Sequence, residues 1–148
     1  MFSPGLLLYF DPFHFEDGSK KPKYFLVLGV HQNQIVLASL PSSRFHLPAA
    51  LPFEHGCINQ PQDGINCYLL EANRPIASNG WAFPLRTILY GNWLADFEIN
   101  LLIQRYAIEG VDYEIIGTLV PEELKKILDC FRNSPVVKRK YRRWLGAN

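Results

Sequence analysis

The apolar residues of this chain come in short, separated runs. Leu6-Leu7-Leu8-Tyr9-Phe10 and Tyr24-Phe25-Leu26-Val27-Leu28 are five residues long, and Ile35-Val36-Leu37-Ala38 is four. Runs of this length, rich in aromatic and β-branched residues, suit pleated, largely buried strands. Each run is bounded by breakers. Pro4-Gly5 precedes the first, Asp11-Pro12 follows it, and His31-Gln32-Asn33-Gln34 separates the second from the third. Proline cannot donate to a ladder and restricts the residue before it. The pattern predicts strands over 6–10, 23–30 and 35–40, with the last two forming a hairpin. Residues 11–23 are expected as a polar loop that turns at Asp17-Gly18.

Beyond residue 40 the breakers are denser. Pro41, Pro48, Pro52 and Pro61 with Gly56 and Gly64 predict a long irregular loop over 41–64. Strands are expected at 65–71 and 83–90, with a turn at Asn79-Gly80. Residues 93–107 fit either state: Phe97, Ile99, Leu101 and Ile103 alternate, while Leu94, Phe97, Leu101 and Tyr106 share a helical face. A strand at 113–117 leads into a helix over 121–132. Pro121 suits its first turn, Glu122 and Glu123 its positive end, and Leu124, Ile127, Leu128 and Phe131 its apolar face. Asn133-Ser134-Pro135 ends that helix. The expected class is therefore mainly β with a C-terminal helix, as a single domain over 1–135 followed by a basic C-terminal tail over 136–148.

A chain of 148 residues can bury roughly 70% of its unfolded surface. It needs no disulfide or metal to hold a core. Cys57, Cys67 and Cys130 are odd in number and widely spaced, which argues against a disulfide framework. No apolar run approaches a membrane span, and Met1-Phe2-Ser3-Pro4-Gly5 carries no basic n-region. A cytoplasmic location and no membrane partner are the expectation. Charge is uneven: residues 1–120 hold seven Lys/Arg against eleven Asp/Glu, and residues 121–148 hold eight against three. A basic end of this kind attracts phosphate or an acidic chain, or simply solvates the protein.

His46, His55, Cys57 and Cys67 match no zinc spacing, and no phosphate-binding loop or nucleophile elbow is present. Neither a metal nor another cofactor is expected. One polar cluster remains. His14 lies in the first loop, Lys20, Lys21 and Lys23 begin the second strand, and Ser42, Ser43, Arg44 and His46 follow the third. In a meander of strands these groups converge on one rim. Cleavage of RNA at a 2′-hydroxyl needs a proton acceptor, a proton donor and a cation beside the phosphate, and His, Ser and Lys/Arg supply those roles. A solvated lysine loop beside a plain serine turn has the same sequence.

The order of the pieces resembles the MazF/PemK/Kid toxin family. Pro4-Gly5-Leu6-Leu7-Leu8-Tyr9-Phe10-Asp11-Pro12 is similar to its first strand. Gly18 with Lys20-Lys21-Pro22 and Phe25-Leu26-Val27-Leu28 resembles its stretch of Gly, basic residue, Pro and apolar strand. Ala38-Ser39-Leu40-Pro41-Ser42-Ser43 is similar to the end of its third strand, and Ile116-Gly117-Thr118-Leu119 with Pro121-Glu122-Glu123-Leu124 to its closing segment. The resemblance implies a small SH3-like barrel, usually a homodimer, that cleaves single-stranded RNA without a metal and is neutralised by an antitoxin. Its active groups would be Lys21, in place of the usual Arg, with Ser42 or Ser43 and His14. Arg44, Lys20, Lys23 and, in the tail, Arg139, Lys140 and Arg142 would attract the RNA backbone. Lys at position 21 is a point charge where Arg would brace phosphate with two parallel bonds. The stretch 45–92 is longer than the family's middle section. A non-catalytic β-barrel module that binds a protein or nucleic acid partner is the alternative expectation.

Overall fold

A computed structural model describes residues 2–48 and 54–146. Alternation along three neighbouring strands decides its architecture. β1 (Leu6–His14), β2 (Lys20–His31) and β3 (Ile35–Ser39) form an antiparallel meander. Leu7, Leu26, Leu28 and Leu37 enter one apolar cluster, while Leu8, Phe10, Phe25, Val27, Val36 and Ala38 enter another. Successive side chains of a strand point to opposite faces. With both faces covered, no polar residue is needed between the apolar ones, which is why the sequence shows unbroken runs.

Further elements cover the two faces and flank the sheet. β4 (Gly56–Gln60), β5 (Ile65–Leu70) and β6 (Thr87–Tyr90) form a second, three-stranded antiparallel sheet. β7 (Ala95–Glu98) pairs with the outer edge of β3, α1 (Ile99–Arg105) follows it, and β8 (Tyr113–Thr118) pairs with β1. The larger sheet thus has the order β7-β3-β2-β1-β8. α2 (Pro121–Arg132) and α3 (Arg139–Trp144) complete the first cluster through Ile127, Phe131, Val137, Tyr141 and Leu145, which meet Tyr68 and Leu70 of β5. Leu102 of α1, Tyr106 and Tyr113 close the second. The protein is mainly β with a C-terminal helix, and its sheets do not close into one. The chain just past β3 is tied to β6, where Ser42 and Ile88 exchange backbone hydrogen bonds of 3.0 and 2.7 Å, and the segment between β5 and β6 is tied to β8 by Ser78 N–H donating to Thr118 O at 2.9 Å.

Several expectations are corrected. β1 does not stop at Asp11-Pro12: its register with β2 shifts between Phe10 and Phe13, and Pro12 falls in that irregularity, where no ladder donor is required. The 11–23 loop therefore shrinks to the residues between β1 and β2. The 41–64 segment is not wholly irregular, because β4 and a 3-10 turn over Pro61–Asp63 lie inside it, and its breakers bracket the strand rather than interrupt it. Residues 49–53 of that segment lie outside the described residues. The strand expected from 83 begins only at Thr87, beyond Pro84. The ambiguous 93–107 stretch is both states in succession, β7 and then α1. The basic 136–148 segment does hold a short helix, α3, as its partial apolar stripe suggests, with Tyr141 in it and Val137 and Leu145 beside it buried.

Two close packings hold the second sheet to α2. Asn66, 2% exposed, donates from Nδ2 to Cys130 O at 3.1 Å, and its Oδ1 lies 2.0 Å from where a Cβ on Gly91 would sit. No side chain fits at position 91. Cys57 of β4 is joined by a disulfide to Cys130 of α2, across 73 residues, and this corrects the expectation of a chain without disulfides. Cys67 is a free thiol, and burial pushes it up to about 11. Closing a loop of this length stabilises a fold by about 4 kcal/mol on the chain-entropy scale. Denaturant titration with and without dithiothreitol is expected to show a loss of up to about that size on reduction, matched by Cys57→Ser. Equal midpoints would mean that packing alone holds β4 on α2.

Candidate functional site

The strand ends set the site. β2 begins where β1 and the chain beyond β3 end, so Lys21 and Lys23 of β2 come beside Ser42, Ser43 and Arg44. These five residues border a cavity of about 320 Å³ with Tyr9, Tyr24 and Thr87. A second cavity, of about 690 Å³, adjoins it and shares Lys21, Lys23 and Ser42. His14, His46, Trp93, Asp96 and Lys138 also line it. Lys21, Ser42 and His14 are thus brought to one cavity. Ser43 and Arg44 face the smaller one, and Lys20 and Arg139 line neither.

Each side chain is held differently. Ser42 is clamped by the main-chain pair with Ile88, and its Oγ accepts the Arg44 N–H at 3.2 Å, leaving the hydroxyl proton to donate. His14 is exposed, and its backbone N–H donates to the Tyr106 hydroxyl at 2.9 Å. Lys21 lies over the Phe15 ring at 5.6 Å and near Asp17. Asp17 itself accepts bonds from the Ser19 N–H and hydroxyl at 2.8 and 2.6 Å, which hold its carboxyl below the usual range. Lys23 is half-buried, and burial together with the charges of Lys21 and Arg44 pushes its ammonium down from the usual lysine range. Among the described residues no carboxylate is ion-paired with Lys21, Lys23 or Arg44. Three cations at a cavity mouth without ion-paired carboxylates are an arrangement that suits an anion such as phosphate, although Glu16, Asp17 and Asp96 line the adjoining cavity.

The tail cations have other roles. Lys140 pairs with Asp96 at 3.6 Å and lies over the Tyr141 and Trp144 rings, and Arg142 Nε donates to Val137 O at 3.1 Å. Lys138, by contrast, reaches the larger cavity. Trp93 and Asp96 are residues that sequence reasoning did not assign to this site, whereas His46 belongs to the rim cluster it singled out. Only the pairing of β3 with β7 brings 93–96 against the end of β3, and no local spacing signals that pairing.

A second polar cluster lies between β5 and α2. Glu123, 8% exposed, accepts the Tyr68 hydroxyl and stands 3.0 Å from His55 Nε2. His55 Nδ1 accepts the Glu71 N–H at 3.2 Å, so Nε2 carries the proton and donates to Glu123. Every polar atom of this group is occupied, which marks a lock rather than a reactive centre. No group of three or more His, Cys, Asp or Glu among the described residues could hold a metal. No helix among them is long and apolar enough to cross a membrane. No protein-family model matches the chain, and no curated protein or solved structure matches it.

Two pieces of this geometry are testable by stability alone. A lysine whose ammonium is disfavoured in the fold weakens it at neutral pH, where the unfolded chain holds the proton freely. Lys23→Met is therefore expected to raise the thermal midpoint while weakening binding of a phosphate-bearing ligand, and a lowered midpoint would refute the crowding of charge at this position. Burial and the Glu123 bond push the Tyr68 phenol well above its ordinary value of 10.0. That contribution is complete below about pH 10 and fades as pH rises further, because the unfolded phenol ionises first. Chemical denaturation across this range is expected to show a smaller alkaline loss for Tyr68→Phe than for the parent chain.

Proposed function

We propose that this chain is an endoribonuclease of the MazF/PemK type on a small SH3-like barrel, cutting single-stranded RNA without a metal. The observation that carries the reading is the shared cavity: Lys21, Ser42 and His14 line it together with Lys23 and His46. Lys21 and Lys23 hold the scissile phosphate and offset the charge that grows on its oxygens. Ser42 donates its free hydroxyl proton to one of them. One imidazole of His14 and His46 takes the proton of the 2′-hydroxyl as its oxygen bonds to phosphorus, and the other gives a proton to the leaving 5′-oxygen. The products are a 2′,3′-cyclic phosphate and a 5′-hydroxyl end. A homodimer, an antitoxin partner and a cytoplasmic location, in which the Cys57–Cys130 pair would be held reduced, belong to the same reading.

The binding-only alternative has one observation in its favour. Lys21 is held over Phe15 and near Asp17, so its charge is partly engaged before any substrate arrives. Incubation of mixed single-stranded RNA in EDTA, with and without reductant, separates the two. Cutting is expected, with Lys21→Ala and Ser42→Ala together slowing it by at least about 100-fold, the usual cost of losing groups that stabilise a transition state. An uncut substrate at high enzyme, or cutting that survives both substitutions, sinks the mechanism and leaves the non-catalytic module.

A further inference from the structure

We infer that Trp93 is a stacking platform for an unpaired base of a single-stranded nucleic acid whose phosphates lie on Lys21 and Lys23. The inference rests on the proposed RNA-binding role of that cavity, but it needs no cleavage.

Trp93 is 52% exposed, whereas Trp81 and Trp144 pack against the first core. What sets this indole apart from other exposed apolar side chains is that it lines the larger cavity that holds Lys21 and Lys23. This one is also held in place. Tyr90, 6% exposed, backs it with ring centroids 4.4 Å apart, and His46 meets it edge-on at 5.3 Å. Tyr90 is itself fixed at its far end. Its hydroxyl donates to Arg44 O at 2.7 Å and accepts the His46 N–H at 2.9 Å. The ring that supports Trp93 therefore also ties down the segment that carries Ser42 and Arg44. The aromatic face and the cations keep a fixed spacing before any ligand binds, which lowers the ordering cost of binding.

The occupant follows from what shares the cavity. Its volume of about 690 Å³ lies in the range of ligand sites, and Trp93, His46, Lys21, Lys23, Ser42 and Lys138 all line it. Three carboxylates line it as well: Asp96 accepts the Tyr141 hydroxyl at 2.9 Å and faces Lys140, Asp17 is bonded to Ser19, and Glu16 is the third, against the cations Lys21, Lys23 and Lys138. An exposed aromatic face next to cations without ion-paired carboxylates suits a chain that alternates flat bases with phosphates. Base-on-aromatic stacking is tolerant of sequence because every base has a π-face. Trp93 would thus select unpaired bases over paired ones without reading which base is present.

The test uses the full chain and two uncleavable probes, a fluorescein-labelled 2′-O-methyl oligouridylate hexamer and an abasic hexamer of the same backbone, in anisotropy titrations at fixed salt. The parent protein is expected to bind the base-bearing probe about 10- to 100-fold more tightly than the abasic one, the worth of a stacked base. Trp93→Leu should bring that ratio near one without changing the salt slope, and Trp93→Phe should keep most of it. Lys21→Ala with Lys23→Ala should weaken both probes and flatten the slope, because phosphate contacts release counterions. A ratio near one in the parent, a ratio that persists in Trp93→Leu, or failure of both probes to bind overturns the inference. An intact ratio in a protein that cuts no RNA upholds the platform while the nuclease reading falls.

Discussion

Burial of the β1–β2–β3 meander on both faces is the constraint on which the rest of the structure depends. Phe25 and Val27 are fully hidden on one side, and Leu26 and Leu28 on the other. A sheet covered twice needs two separate sets of partners. One face takes α2, α3 and the second sheet, and the other takes α1 with Tyr106 and Tyr113. A one-residue slip of β2 would exchange the two sets, so each cluster helps fix the register of the other. Aromatic packing adds direction on the second face, where Phe10 and Phe13 meet Tyr106 at 4.4 and 5.8 Å.

The candidate site lies beside the junction of the two sheets. The backbone pair between Ser42 and Ile88 draws the chain beyond β3 onto the edge of the second sheet. Groups that are costly to bury gather there, Lys23 foremost. Its lowered proton affinity reflects a desolvated ammonium beside two further cations. Such an arrangement weakens the empty fold and is offset when an anion arrives, which is the usual relation between stability and a binding site.

The C-terminal part acts as a clasp. α2 is bound to β4 by the Cys57–Cys130 bond and reaches Tyr68 and His55 through Glu123, while α3 adds Tyr141 to the first core and bonds it to Asp96 at 2.9 Å. The basic charge concentrated there is thereby used partly in packing: Lys140 and Arg142 brace α3 against the body, and Lys138 alone among the cations of 138–143 lines the larger cavity.

Local chemistry in the sequence was enough for the cores of β1, β2, β3, β5 and β8, the hairpin at 31–34 and the helix over 121–132, but not for β4 or β7, because apolar runs, breakers and helix-start residues act over a few positions. It was also enough to single out the lysines before β2 and the serines after β3, since strand ends in a meander must meet. Three things required the tertiary structure. β1 crosses Asp11-Pro12 because a bulge accommodates proline, which depends on the partner strand. Cys57 and Cys130 meet only because β4 packs on α2, across 73 residues. Trp93 and Asp96 reach the cavity of Lys21 and Ser42 through the β3–β7 pairing. The sequence therefore determined the central meander and which cations begin β2, and only long-range pairing decided what stands opposite them, because no short-range pattern encodes which distant edge a strand will join.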